Sequence, residues 1–147
     1  MDIVGHFIYS NTTETEGETI KNIFCDIDTF IHTGEMNRIY CAMSRFMTIA
    51  GYSGPQLPYS IGLLEVSKHY EEGAKKYSER NWEKGIPCHC YVDSGIRHLI
   101  RWIGLWDDEP HDRAFLWNML GLLWTVIHHP ELNDLPYVTA KGDDIYA

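Results

Sequence analysis

The chain has 147 residues, 44% of them hydrophobic, which suffices for one real core and matches the size of a single domain. Its net charge of -9 argues against a nucleic-acid surface, because backbone binding needs a net basic footprint. No basic segment followed by a long apolar run stands at the start, so no secretory leader is expected. The longest apolar run, 114–127, carries Asn118 and falls short of the ~20 residues of a membrane span, so a cytoplasmic protein without a membrane partner is expected.

Residues 2–9 read as a short strand or extended arm, and 11–17 as a polar loop. From Thr19 the positions Ile20, Ile23, Phe24, Ile27, Phe30 and Ile31 recur at helical spacing and stop at Thr33-Gly34. Met36, Ile39, Tyr40, Met43, Phe46 and Met47 repeat the pattern as far as Gly51. Gly54-Pro55 and Pro58 then break the chain. A third helix is predicted over 59–77, with Leu63, Val66, Tyr70, Ala74 and Tyr77 on its apolar stripe. A loop follows over 78–87, and a fourth helix over 91–103 turns Val92, Ile96, Leu99 and Ile103 inward. The segment 106–110 ends it. The fifth helix, 111–128, is apolar nearly all round and is expected to be the central helix or an oligomer interface. The tail from Pro130 is expected to wrap or fray.

These patterns predict an all-α bundle of about five helices with a short extended N-terminal segment, the last three helices being antiparallel neighbours. The whole chain, 1–147, reads as one domain: an extension of two helices over 1–55, a core over 57–129 and a tail over 130–147. Cys25, Cys41, Cys88 and Cys90 include no CxxC pair, and one residue between Cys88 and Cys90 is poor zinc spacing; reduced thiols are expected.

In so acidic a chain, the clustering of Lys75, Lys76, Arg80, Asn81, Trp82, Arg97, His98, His111 and Asn118 points to an anionic, ring-bearing ligand such as a nucleotide. Glu65, His69 and Glu72 lie at i, i+4 and i+7 and share one helical face, with Glu71 beside the apolar stripe. Stacked carboxylates can hold magnesium or manganese, although a solvated outer face has the same pattern. Asp93 opens the fourth helix, as a ligand or as a cap and dipole partner. Arg97 follows one turn later and can engage two phosphate oxygens at once. A histidine in the setting of His98 is more often a satisfied core group than a catalyst. Asn118, inside an apolar run, needs a hydrogen-bond partner, whether a base edge or a neighbouring carbonyl. The five tryptophans read mostly as core, with Trp82 free to stack on a base. No phosphate-cradling glycine loop and no nucleophile–base motif occurs.

Leu57-Pro58, Glu71, Gly73-Ala74-Lys75-Lys76-Tyr77, the run from Arg80 through Gly85, Asp93, Arg97-His98-Leu99 and Trp117-Asn118 carry a likeness. Over 57–123 the chain resembles the N-terminal domain family of phage dATP/dGTP diphosphohydrolases, which stand beside the MazG-like nucleotide pyrophosphohydrolases. The resemblance implies a MazG-like all-α fold, a homo-oligomer, and a divalent metal holding the triphosphate of a purine deoxynucleotide. By position it implies Glu71, Asp93 and His111 near the metal, with Glu71 and Asp93 catalytic. Lys75, Lys76, Arg80, Arg97 and Asn118 would surround the ligand. The chain departs from the family at Ala114, where a second histidine is usual, and in a short segment over 104–110.

The expected activity is therefore metal-dependent pyrophosphohydrolysis of a purine nucleoside triphosphate in a phage-infected bacterium. Magnesium or manganese would bind at Glu65, Glu71, Glu72, Asp93 and His111, while Lys76, Arg80 and Arg97 stabilise the leaving pyrophosphate. The alternative is a non-catalytic nucleotide sponge, needing no metal, that sequesters a cyclic or ADP-ribose-type immune signal. A third is a helical protein-binding module that uses its last helix as interface.

Overall fold

The computed structural model describes residues 14–52 and 60–143, so the arm expected over 2–9 and the break at Gly54-Pro55 and Pro58 lie outside the described residues. The described residues are helical and contain no strand, in agreement with the all-α expectation.

Helix α1, Glu16–Thr33, begins at a capping box, in which Thr15 accepts from the Glu18 N–H and the Glu18 carboxylate accepts from the Thr15 N–H. It ends where Gly34 takes a left-handed conformation (φ 74°) and returns its N–H to the Phe30 carbonyl. Helix α2, Met36–Ile49, doubles back, so Ile23, Ile27 and Phe30 meet Ile39, Ala42, Met43 and Phe46 in one core. Asp26 is buried at this seam and receives hydrogen bonds from both Arg45 and Arg38. Burial pushes its carboxyl above the ordinary range, against the pull of Arg45 and then Arg38.

Helix α3 spans Ser60–Lys76, α4 Cys88–Ile103 and α5 His111–His128, with a 3-10 turn at Asn81–Lys84 before α4. Contacts between α4 and α5 pair His98 with His111, Gly95 with Met119, and Tyr91 with Gly121, so the two helices are antiparallel. Glu72 with Arg113 and His69 with Trp117 show the same for α3 and α5. Helix α5 is central, burying Phe115, Leu116, Met119, Leu122 and Leu123 against its neighbours. Of residues 114–127 only Ile127 is classed as exposed. The apolar surface that suggested an oligomer is thus spent within the chain, and that reason for one falls away.

Two expectations change, and the tail, expected to wrap or fray, wraps. Leu63 is 67% exposed and Tyr77 66%, because α3 lies mainly against α5 and buries a narrow face around Val66, Tyr70 and His69. Helix α4 starts at Cys88, three residues early, with Pro87 at the cap position, so Asp93 stands exposed in its second turn and caps nothing. The tail forms a 3-10 turn, Pro130–Leu132, and a helix α6, Pro136–Asp143, whose Tyr137 ring packs edge-on against Phe30 at 5.9 Å.

Candidate metal centre

Helix α4 stops at Gly104, whose N–H reaches the Ile100 carbonyl, and Leu105 turns left-handed (φ 57°). The Trp106 N–H then bonds back to the Arg101 carbonyl at 3.0 Å. This tight reversal brings Glu109 beside His98 and Asp108 beside His111, which lies in the first turn of α5 after Pro110.

At this corner His98 Nδ1 lies 2.9 Å from His111 Nδ1. Glu109 Oε1 lies 3.8 Å from the first and 3.7 Å from the second. His111 is buried, and its Nε2 donates to Asp108 Oδ1 at 2.8 Å. A proton on Nε2 suits that carboxylate, and the neutral tautomer that carries it there leaves Nδ1 with a lone pair facing His98. Burial holds the His98 imidazole below its ordinary pKa; Glu109 opposes this, while His111, Arg97 and Arg101 add to it. Burial thus favours the neutral imidazole, the form that can ligate. In this geometry its Nδ1–H faces the His111 Nδ1 lone pair at 2.9 Å, a proton that a shared cation would displace. The hydrogen bond from His111 is the main influence holding the Asp108 carboxyl below its usual range.

Three donors bound to one ion at about 2.1 Å stand about 3.0–3.4 Å apart; the two imidazole nitrogens, at 2.9 Å, are close to that spacing, and Glu109, at 3.7–3.8 Å, stands just outside it. The Asp108–His111 bond is the outer carboxylate contact that metal-ligating histidines usually have. Two imidazoles and one carboxylate suit manganese, iron or zinc better than magnesium, which prefers oxygen. Among the described residues this is the one such group of three.

Of the five residues expected around a metal, only His111 stands in the group. Glu72 instead receives both of its bonds, 2.8 and 3.0 Å, from Arg113. Glu71 pairs with Lys75 at 3.1 Å, and Glu65 pairs with Lys68. The face of Glu65, His69 and Glu72 is not simply solvated: His69 packs on Trp117, and its buried Nδ1 has no partner. Asp93 lies further back on α4, in a cleft with Arg97.

The residues expected around the nucleotide divide. His98 belongs to the donor group. Because α3 is antiparallel to α5, Lys75 and Lys76 continue past Glu72 toward the end of the bundle that holds His111. Arg80 is exposed, with positive φ, and pairs with Glu83. Asn81 starts the 3-10 turn, and Trp82 after it packs edge-on against Tyr70 and Trp124, at 5.5 and 4.9 Å, so its ring is part of the packing. Asn118 is buried and donates to the Ala114 carbonyl at 2.8 Å, the neighbouring-carbonyl alternative.

Glu109 was missed because it sits in a connecting segment. The signal available was the acidic run 107–109 placed directly before a histidine that opens a helix.

The fold and corner define a helical protein with a two-histidine, one-carboxylate site at a helix junction. A family model described as dATP/dGTP diphosphohydrolase, N-terminal, matches residues 53–135, more than half of the chain. The chain belongs to this family, which places it in kind with nucleotide hydrolases. The match contains the whole corner and leaves α1 and α2 outside. Neither the curated proteins nor the solved structures compared with it gave a match. No helix among the described residues is long and apolar enough to cross a membrane.

Proposed function

We propose that the protein is a manganese-dependent pyrophosphohydrolase of purine deoxynucleoside triphosphates. The observation that carries this reading is the convergence of His98 Nδ1, His111 Nδ1 and Glu109 Oε1 inside the family-matched segment. In the reaction, water oxygen bonds to the α-phosphorus, the bond to the α–β bridging oxygen breaks, and deoxynucleoside monophosphate and pyrophosphate leave. A bound divalent ion supplies charge neutralisation on the phosphates and acidifies water. Asp108 keeps the His111 ring oriented, and Arg101, 3.4 Å from Glu109 Oε1, fixes that carboxylate. Arg97, Lys75 and Lys76 supply positive charge for the phosphates. Glu71, exposed on α3 beside Lys75, is the carboxylate that would take the proton from water, while Asp93 lies back in the cleft with Arg97.

Ala114, buried where the family tends to carry a second histidine, favours a second reading in which the nucleotide is held without turnover. Incubating the protein with dGTP or dATP under manganese, magnesium or chelator, then separating products by chromatography, tests both. Monophosphate and pyrophosphate formed with manganese are expected. Intact nucleotide recovered only on denaturation, with chelator present, would establish the binder.

A further inference from the structure

Next to the corner lies an open cleft of about 560 Å³, lined by Asp93, Ile96, Arg97, Ile100, Arg101 and Trp106. The first five are one face of α4 at helical spacing, and Trp106 closes its end. The Trp106 indole is 59% exposed and Ile100 55%, so neither serves the core. The ring lies close over Gly104, where a Cβ would come within 3.2 Å of its Cδ1, and the Trp106 backbone N–H bonds to the Arg101 carbonyl.

The Arg101 guanidinium lies 5.2 Å from the Trp106 ring centroid and 3.4 Å from Glu109 Oε1. One side chain therefore joins the indole to the carboxylate of the donor group, which makes cleft and corner neighbours. Their chemistry is complementary. The corner offers metal donors and cations, suited to phosphates; the cleft offers an indole, two isoleucines and a carboxylate, suited to a flat heterocycle with N–H groups.

We propose that this cleft seats the purine ring of the nucleotide, with Trp106 as its stacking face and Asp93 accepting from the base. The assignment rests on the reading of the corner as the metal and phosphate site. Trp106, and not Trp82, is then the aromatic that selects a base over a bare polyphosphate. Arg97 and Arg101 mark the border between the two halves.

The test is calorimetric titration of the full chain, with manganese, by the α,β-methylene analogue of dGTP, which cannot turn over and stands for dGTP throughout, and by inorganic tripolyphosphate. W106A should bind dGTP roughly tenfold more weakly, with W106F close to the parent, because stacking on a base is lost and then restored. Tripolyphosphate should bind W106A within about twofold of the parent, since it has no ring to stack. Unchanged dGTP affinity in W106A would overturn the proposal, as would equal weakening for both ligands. So would a change in the mass measured by light scattering with dGTP affinity intact, which would make Trp106 an interface residue. The corner has its own control: H111A should lose tripolyphosphate binding. If the parent binds neither ligand, or H111A binds both normally, the corner reading fails; if only W106A fails to respond, the corner stands and the cleft assignment falls.

Discussion

Asp26 in the α1–α2 hairpin and Glu109 ahead of α5 are both carboxylates that face more than one basic group, and their surroundings differ in kind. Asp26 is 3% exposed and meets two arginines, which are permanently charged, so its oxygens are committed. Glu109 is exposed and stands 3.7–3.8 Å from two imidazole nitrogens, too far for direct hydrogen bonds. Arginine closes a charge balance, while a neutral imidazole leaves a lone pair to offer. The hairpin is a finished structural joint, whereas the corner retains unspent donor capacity. The family match follows the same division, taking in the corner and omitting the hairpin.

The largest expected effect comes from emptying the corner. H111A should lower manganese-dependent turnover at least ~100-fold, since it removes a metal donor and the group held by Asp108. Product formation per folded molecule measures it, and retained turnover would show that the corner is structural like the hairpin. Next, D26A should cost about 2–3 kcal/mol of stability in urea unfolding, because two guanidinium groups lose a buried partner. Its turnover per folded molecule should match the parent; a specific loss of activity would break the division between the two regions. D108N should be milder, weakening manganese binding by about tenfold through loss of ring orientation. An unchanged manganese isotherm would remove Asp108 from the site.

The smallest effect is a pH dependence carried by His69. Burial, with the charge of Arg113 in second place, holds its pKa below the ordinary histidine value of 6.5, against Glu72 and Glu109. The unfolded chain therefore binds more protons than the folded one below that value, and the stability contribution, complete above it, declines as pH falls. H69F should flatten this acid-side decline, by about 2 °C or less in Tm between pH 7 and 5.5. A parent and variant that lose stability in parallel would exclude His69 as the source.

Helices α1 and α2 were legible because their apolar residues recur at the helical period over about three turns, and α5 because its long run is apolar nearly all round. The first turn of α4 was not, since Cys88-His89-Cys90 has no such period and Pro87 reads as a break; its support is tertiary, with the His89 N–H bonding Asp134 at 3.0 Å. Helix α6 depends equally on distant contacts, with Tyr137 lying against Phe30 and over Gly34. In the candidate site, Arg97 and His111 could be picked out by type and position. The partnership of His98 with His111, thirteen residues apart, exists only because the chain reverses at Leu105. Asn118 was correctly marked as needing a partner, and local helix geometry supplied it.

Two residues without side chains bear on this corner from a distance. A Cβ at Gly121 would come within 2.5 Å of the Tyr91 ring, and one at Gly95 within 2.6 Å of Met119, so the α4 and α5 axes are as close as their neighbours permit. His98 lies one turn from Gly95, so this spacing sets the bite between the two imidazoles. Under the proposed metal reading, preference among ions of different radius would be a property of the helix seam as well as of the ligands. An alanine at Gly121, pressed against the buried Tyr91 ring, would wedge the helices apart and move the corner toward larger cations, while at Gly95 the flexible end of Met119 can give way.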